Sequence, residues 1–253
     1  VQCDGVRYHC GAEEWHRRGM TLGDLKLTPM HGSGQITPGA RFLVVLDVDS
    51  TLIEDEVIEL IADYAGVRER VAEVTERAMR GELDFEGSLR ERVALLKGVT
   101  TDEIAQVYER ITVTHGVPEM VSAVHDAGGR VGCVSGGFDE VLDPLAAHLN
   151  LDLWRANRFA VDDAGVLTGE VDGTIVGREV KAQTLRSWAQ SLGVPLERTV
   201  AVGDGANDLG MMSIAGLSVA FDAKPVVRQQ ADVALRDRDM TQLLPLVGIQ
   251  AND

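Results

Sequence analysis

The chain has 253 residues, of which 45% are hydrophobic and only 4% aromatic, and it carries a formal charge of −16 at pH 7. This length allows one large domain, or a core domain with a smaller insert, filled mainly by aliphatic side chains. Because an acidic surface repels phosphate backbones, we expect no nucleic-acid partner.

The first 39 residues have weak periodicity and many Gly, His and Pro, so we interpret them as an arm or linker of unknown role. A short hairpin and the end of a larger element are the alternatives. They lack the apolar centre of a signal peptide, and no apolar run in the chain reaches the ~18 residues of a membrane span. About forty residues are also too few for a complete amino-acid-binding regulatory domain of the ACT type.

The chain has three cysteines, Cys3, Cys10 and Cys133, and no CxxC pair. An odd number without paired spacing argues against a disulfide framework and fits a reducing compartment. Cys133 lies in an apolar run and is predicted to be a small core residue. We therefore expect a soluble, cytoplasmic protein without a membrane partner.

Residues 42–46 form an unbroken apolar run, which predicts a strand buried on both faces, as in a parallel sheet. Apolar residues then recur at helical spacing up to a stop predicted at Gly66: Val57, Leu60, Ile61 and Tyr64. Residues 68–112 are predicted to be helical, with a break at 81–87 and a capping box formed by Thr100 and Glu103. Since this block is too long for a simple crossover, residues 53–114 are predicted to be an inserted helical cap.

The rest of the sequence alternates between helical and strand patterns. Helices are predicted at 116–129, 138–149, 178–193, 207–216 and 224–231, strands at 130–135, 199–204 and 217–221, and a hairpin at 157–171. Such alternation predicts a doubly wound parallel α/β sheet, whose core domain comprises residues 40–52 and 115–253.

Acidic or hydroxyl side chains follow three of these strands: Asp47 and Asp49, Asp204 with Asp208, and Ser135. Ligands bind beyond the carboxyl ends of parallel strands, so we expect these side chains to meet. Each acid alone is equally well explained as a helix cap or turn residue. Several carboxylates in one crevice, however, require a cation, and oxygen ligands without nearby His or Cys favour Mg²⁺ over zinc.

The spacing of Asp47 and Asp49 at one strand tip suggests a reaction. One carboxylate can face a phosphorus atom while the other reaches the leaving oxygen. A carboxylate nucleophile beside a carboxyl acid/base is what phosphoester transfer through an aspartyl-phosphate requires.

Four motifs come in the order found in the haloacid dehalogenase (HAD) superfamily: "DVDST" (47–51), "SGG" (135–137), Lys181 on a helix, and "GDGANDLGMM" (203–212). Within it, "STLIEDEVIELIA" and "RGELDFEGSLRERVALLKG" resemble the phosphoserine phosphatases. The resemblance covers about residues 42–244 and is specific. It implies a HAD-like fold and Mg²⁺-dependent hydrolysis of O-phospho-L-serine to L-serine, the last step of serine biosynthesis.

The resemblance also implies residue roles. Asp47 is expected to be the nucleophile, and Asp49 is expected to protonate the serine oxygen and then activate water. Mg²⁺ would be held by the Asp47 carboxylate, the backbone carbonyl of Asp49, and Asp204. The remaining expected site residues are the phosphate ligands Ser135, Gly136 and Lys181, the supporting Asp208, which orients Lys181, and Asn207 in the same loop.

Substrate choice is expected to lie in the cap. By resemblance, Glu56 would bind the ammonium of phosphoserine and Arg92 its carboxylate, since Arg recognises carboxylates in a planar two-point fashion. The alternatives are that Glu56 caps its helix and that Arg92 pairs with Glu91 or another surface acid. Two apolar cap contacts, Phe85 and Met79, and a neighbouring Arg178 complete the prediction; both apolar residues also fit a core position.

Three other functions stay open from the sequence. The chain is also compatible with a phosphatase of the same fold for another small phosphomonoester, or with a phosphotransferase to an alcohol such as homoserine. A non-catalytic sensor would need a damaged nucleophile or acid/base, and both aspartates are intact. A homodimer is expected only from the general frequency of two-fold oligomers.

Overall fold

The computed structural model describes residues 2–3, 6–8 and 39–249. Most of the arm or linker predicted at 1–39, including Cys10, lies outside these residues, as does the side chain of Met79. Within the described residues, nine strands form one sheet in the order β1-β2-β9-β8-β7-β3-β4-β5-β6. The strands are β1 Gln2–Cys3, β2 Val6–Tyr8, β3 Leu43–Leu46, β4 Arg130–Phe138, β5 Leu153–Val161, β6 Leu167–Asp172, β7 Thr199–Gly203, β8 Leu217–Phe221 and β9 Val233–Leu235.

The six central strands, from β9 to β5, run parallel, whereas β6 and the β1–β2 pair are antiparallel at the two edges. This arrangement confirms the predicted doubly wound parallel sheet. Among the described residues at the start of the chain, β1 and β2 pair as an antiparallel hairpin, which was one of the alternatives for this segment. The sequence did not predict β9, which has only three residues.

Ten α-helices are described: α1 Val57–Tyr64, α2 Arg68–Met79, α3 Phe85–Ala94, α4 Thr101–Tyr108, α5 Val117–Asp126, α6 Asp139–His148, α7 Arg178–Ser191, α8 Leu209–Met212, α9 Pro225–Arg228 and α10 Leu243–Leu246. The predicted helices at 207–216 and 224–231 are each shortened to one turn. In the first case, Asp208 accepts a hydrogen bond from the Gly205 N–H, which holds the preceding residues in a tight turn. The last helix was not predicted.

The core lies on both faces of the sheet, as the unbroken apolar run predicts. Along β3, Val44 and Leu46 pack into one layer, and Leu43 and Val45 pack into the other. Cys133 is buried in the first layer, which confirms its prediction as a core residue. Since both layers cover β3, only its carboxyl end is left to contribute to a site.

Helices α1–α4 are inserted between β3 and β4, within the predicted residues 53–114. Ile53 and Val113 pair as an antiparallel bridge, so the chain enters and leaves this insert side by side. The predicted capping box of Thr100 and Glu103 is confirmed. Tyr64 departs from the predicted apolar face: it is 40% exposed, because its hydroxyl donates a hydrogen bond to Gln106 at the surface.

Gly66 has a φ of +69°, which is a left-handed conformation that glycine adopts without a Cβ clash. It follows the end of α1 at Tyr64, as predicted. None of the described helices has both the length and the apolar character needed to cross a membrane.

Candidate active site

The carboxyl ends of β3 and β7 place three aspartates together. Asp47 directly follows β3, and its N–H donates a hydrogen bond to the Val202 carbonyl of β7. Asp204 directly follows β7, and Asp208 lies one turn further along. Carboxylate oxygens of Asp47, Asp204 and Asp208 lie within 4.8 Å of one another. The sequence predicted that these acids meet, and the parallel pairing of β3 with β7 is the physical reason.

Lys181 joins this cluster from α7. Its ammonium donates hydrogen bonds to Asp47 Oδ1 at 2.6 Å and to Asp208 Oδ1 at 2.7 Å, and the side chain is 0% exposed. Burial alone would lower the pKa of Lys181, but Asp208 and Asp47 together raise it, so the amine stays protonated. Lys181 is therefore a buried part of this cluster and not a solvated surface lysine.

The charge balance of the cluster fits a divalent cation. Lys181 pairs with Asp47 and Asp208. Asp204 has no ion pair among the described residues, and the positive charges that act on it, Lys224 and Lys181, are more distant. Burial, followed by repulsion from Asp208, raises the pKa of Asp47 despite its contact with Lys181, and the same two causes raise the pKa of Asp204 to about 6. An all-oxygen donor set of this kind suits a hard cation.

Hydrogen bonds within the cluster determine which carboxylate oxygens are available to bind a cation. Both oxygens of Asp208 accept protein donors, from Lys181 and from the Gly205 N–H. Asp47 Oδ2 and the Asp204 carboxylate have no hydrogen-bond partner among the described residues. Asp208 therefore supports the cluster, and Asp47 and Asp204 present the oxygens that face a cation.

Asp49 lies in a turn between β3 and the first inserted helix. Its Oδ1 accepts a hydrogen bond from the Val57 N–H at 2.8 Å, and its Oδ2 accepts one from the Ser135 hydroxyl at 3.3 Å. Burial and the nearby Glu56 carboxylate raise the pKa of Asp49 to about 7. A carboxyl group with this pKa can both donate and accept a proton near neutral pH.

The segment after β4 brings a hydroxyl and two glycines against these acids. The Ser135 hydroxyl accepts a hydrogen bond from the Gly137 N–H at 2.7 Å. A Cβ on Gly137 would lie 2.8 Å from Asp49 Oδ2, so only glycine allows this approach. Backbone N–H groups and a hydroxyl in such a segment can donate to a phosphate.

A cavity of about 310 Å³ opens onto these groups. Its lining combines acidic, basic and apolar side chains with the glycine backbone: Asp47, Asp49, Glu56, Ile58, Glu59, Thr75, Phe85, Leu89, Arg92, Gly136, Gly137, Phe138, Asp204, Gly205, Asn207 and Lys224. The volume suits a small molecule. The predicted residues Glu56, Arg92, Phe85, Gly136 and Asn207 thus line one cavity with the strand-end acids.

The two predicted recognition residues do not have the alternative roles. Glu56 precedes α1 but makes no capping hydrogen bond; Asp49 accepts from the first N–H of that helix instead. Arg92 forms no ion pair with any described residue, and its predicted surface partner, Glu91, pairs with Arg77 at 2.6 Å. Burial lowers the pKa of Arg92, although Glu56 opposes this effect. A partly buried, unpaired guanidinium in a cavity is a candidate anion ligand.

Phe85 lies at the first position of α3, 37% exposed, with its ring against the backbone. A Cβ on Gly136 would lie 2.9 Å from this ring and one on Gly177 would lie 3.4 Å from it. Phe85 is therefore a contact between the insert and the core, and not an interior residue. Met79 ends α2, and its side chain lies outside the description.

Arg178 is not among the cavity-lining residues; its backbone carbonyl packs against Gly210. It starts α7, one turn before Lys181, and its place as a neighbour of the site stays a prediction. Conversely, Lys224 lines the cavity and was not predicted. Its N–H donates to the Asp204 carbonyl, and it follows the carboxyl end of β8, a position that could have identified it.

The comparisons with known proteins agree with this geometry. The family model of haloacid dehalogenase-like hydrolases matches residues 44–213. The chain belongs to this family. It is 48% identical over 205 residues to the phosphoserine phosphatase of Streptococcus thermophilus, covering 81% of this chain and 95% of that protein. It is 52% identical to the phosphoserine phosphatase of Streptomyces coelicolor, covering 83% of this chain but only 51% of that protein.

A solved structure of a substrate-bound phosphoserine phosphatase superposes with a TM-score of 0.77 at 42% identity, over 83% of this chain and 98% of that chain. The chain thus spans almost all of some relatives and about half of others.

Proposed function

We propose that this enzyme is a Mg²⁺-dependent phosphoserine phosphatase, which hydrolyses O-phospho-L-serine to L-serine and phosphate in the last step of serine biosynthesis. The observation that carries the proposal is the composition of one cavity. Asp47 and Asp49 line it beside an unpaired Arg92 and an acidic Glu56. The phosphoserine phosphatases that match this chain at 43–52% identity support the same conclusion.

In the first step, Asp47 attacks the phosphorus and forms an aspartyl-phosphate, while the P–O bond to serine breaks. Lys181 donates a hydrogen bond to Asp47 Oδ1 and holds the attacking carboxylate in place. The leaving serine oxygen takes the proton of Asp49, whose pKa near 7 keeps a substantial protonated fraction. The Ser135 hydroxyl and the Gly136 N–H donate to the phosphoryl oxygens during this transfer.

In the second step, Asp49, now ionised, removes a proton from water as the water attacks the phosphorus. The aspartyl–phosphate bond breaks, and Asp47 is regenerated with inorganic phosphate as the product. Asp47, Asp204 and the backbone carbonyl of Asp49 would hold Mg²⁺, which would supply positive charge against the repulsion between the carboxylate and the phosphate. Asp208 keeps Lys181 charged and in place.

The remaining lining selects the substrate. Phosphoserine carries an ammonium and a carboxylate on one carbon, and the cavity offers Glu56 and Arg92 as complementary charges. The insert that contains both residues, 53–114, acts in this proposal as a specificity cap over the core of residues 40–52 and 115–253. Phe85 closes the cavity by its contact with Gly136, and Met79 is proposed as a second apolar contact.

The proposal is tested by phosphate release from L-phosphoserine with Mg²⁺, compared with the same mixture containing EDTA. Phosphothreonine, phosphoethanolamine and p-nitrophenyl phosphate are assayed in parallel, and homoserine is added as an acceptor in a further sample. We expect Mg²⁺-dependent turnover with a clear preference for phosphoserine and no phosphohomoserine.

Other outcomes point to the alternatives. A preference for another phosphomonoester would keep the chemistry and refute the roles of Glu56 and Arg92. Formation of phosphohomoserine would indicate a phosphotransferase, and folded protein without any turnover would indicate a sensor. A cytoplasmic location and a homodimer stay predictions, tested by fractionation and by light scattering.

A further inference from the structure

Asn157 is a buried polar residue without a role in the mechanism above. It lies in β5 and is 1% exposed. Its Nδ2 donates a hydrogen bond to the Gly136 carbonyl at 2.8 Å, and its Oδ1 accepts one from the Val176 N–H at 2.8 Å. Because a carbonyl only accepts and an N–H only donates, these partners determine the orientation of the amide.

The contact with Gly136 replaces missing sheet pairing. The register between β4 and β5 shifts between Val134 and Phe138, so the segment 135–137 is not paired regularly with its neighbouring strand. The Asn157 side chain supplies a donor within this gap. The same peptide unit is held at its other end, where the Gly137 N–H donates to the Ser135 hydroxyl oxygen.

The contact with Val176 reaches a second functional element. Val176 precedes Gly177, the residue immediately before α7. The Gly177 carbonyl accepts a hydrogen bond from the Lys181 N–H at 2.9 Å, in the first turn of that helix. One buried amide therefore connects the segment with Ser135 and Gly136 to the start of the helix that carries Lys181.

From this connection we infer that Asn157 is a positioning residue, which sets the distance between the phosphate-binding segment 135–137 and Lys181. The inference rests on the proposed function, in which the segment 135–137 binds the phosphoryl group that Asp47, held by Lys181, attacks. Groups that act on one phosphate must be placed to within a fraction of an ångström, and a misplacement of about 1 Å costs about 100-fold in rate. Loss of the amide should therefore weaken phosphate binding specifically.

Asn157→Leu tests the inference because leucine has the same branched arrangement of heavy atoms and removes both hydrogen bonds. Ser218→Ala is the matched control. Ser218 is also buried and exchanges two hydrogen bonds with Asp232, but it does not line the cavity. Both variants lose two buried hydrogen bonds, and only Asn157→Leu loses the connection to the site.

Two affinities are measured for each protein. The Kd of inorganic phosphate is obtained by equilibrium dialysis with Mg²⁺, and the Kd of Mg²⁺ is obtained by calorimetric titration without phosphate. For Asn157→Leu we expect the phosphate Kd to rise about 10- to 100-fold, and the Mg²⁺ Kd to change less than about twofold. For Ser218→Ala we expect neither Kd to change by more than about twofold.

An unchanged phosphate Kd in folded Asn157→Leu would overturn the inference, as would equal weakening of phosphate and Mg²⁺. If Asn157→Leu does not fold, Asn157→Ala replaces it, since the space left can hold a water that satisfies both backbone groups. Neither measurement requires turnover of phosphoserine. A wild-type protein that binds phosphate but does not hydrolyse phosphoserine would refute the proposed function and leave this test intact.

Discussion

Replacement of Arg92 by alanine should change which substrate the enzyme prefers. Arg92 lines the cavity from α3 and forms no ion pair with the described residues, so its guanidinium is available to a ligand. Phosphoethanolamine has the phosphate and ammonium of phosphoserine and lacks the carboxylate. Only the reaction of phosphoserine should therefore depend on Arg92.

The expected loss in kcat/KM follows from the charge-assisted hydrogen bonds that the Arg92 guanidinium would make to the substrate carboxylate. A charge-assisted hydrogen bond contributes about 1.5–3 kcal/mol, and each 1.4 kcal/mol corresponds to about tenfold. Arg92→Ala should thus lower kcat/KM for phosphoserine about 10- to 100-fold, and kcat/KM for phosphoethanolamine less than about threefold. Part of this loss should appear in KM, because the carboxylate is bound in both the ground state and the transition state.

Arg90→Ala provides the matched control. Arg90 lies on the same helix, is exposed, and pairs with Glu86 four residues earlier. Arg90→Ala removes the same charge from the same helix without changing the cavity lining. The ratio of kcat/KM for phosphoserine to kcat/KM for phosphoethanolamine should therefore stay as in the wild type. Equal losses for both substrates in Arg92→Ala, or an equal change in Arg90→Ala, would refute carboxylate recognition by Arg92.

Three further predictions concern the electrostatics and the catalytic turn. Since Glu56 raises the pKa of Asp49, Glu56→Gln should shift the alkaline decline of kcat/KM for p-nitrophenyl phosphate to lower pH, measured against wild type. In metal-free protein the pKa values of Asp49 and Asp204 are raised, so the folded state binds more protons than the unfolded state. The free energy of unfolding therefore falls as pH rises from about 4 to about 7. Mg²⁺ should therefore raise Tm by at least about 5 °C more at pH 8 than at pH 5, and equal shifts would contradict this reasoning. Arg238 donates a hydrogen bond to the carbonyl of Ser50, which has a φ of +56° in the turn that contains Asp49. Arg238→Gln should therefore lower kcat more than it raises KM. An unchanged kcat would exclude a role of Arg238 in holding this turn.

The strand-end chemistry was predictable because it depends on local sequence and a general rule of topology. An unbroken apolar run must be covered on both faces, and parallel strands bring their carboxyl ends to one edge. Asp47 and Asp204 therefore had to be neighbours once β3 and β7 were adjacent. The capping box of Thr100 and Glu103 is equally local and was predicted for the same reason.

Contacts between distant segments were not predictable in this way. The pairing of Arg238 with the Ser50 carbonyl joins residues 188 positions apart, and no local pattern around Arg238 indicates it. The role of Asn157 depends on a register shift between β4 and β5, which has no signature in composition or periodicity. The three residues of β9 are too few for a periodicity argument, and only pairing with β8 defines them as a strand.

The geometry of Asp49 links the reaction to substrate selection. Its carboxylate accepts from the first N–H of α1, and Glu56, the residue immediately before that helix, raises its pKa. In the proposed mechanism, α1, the first helix of the insert, is thus attached at its beginning to the group that transfers the proton. A change at the start of α1 will alter the position and the pKa of Asp49 together. Mutations there should affect catalysis of both phosphoserine and phosphoethanolamine, whereas a mutation further along the insert, at Arg92, should affect the reaction of phosphoserine and leave that of phosphoethanolamine nearly unchanged.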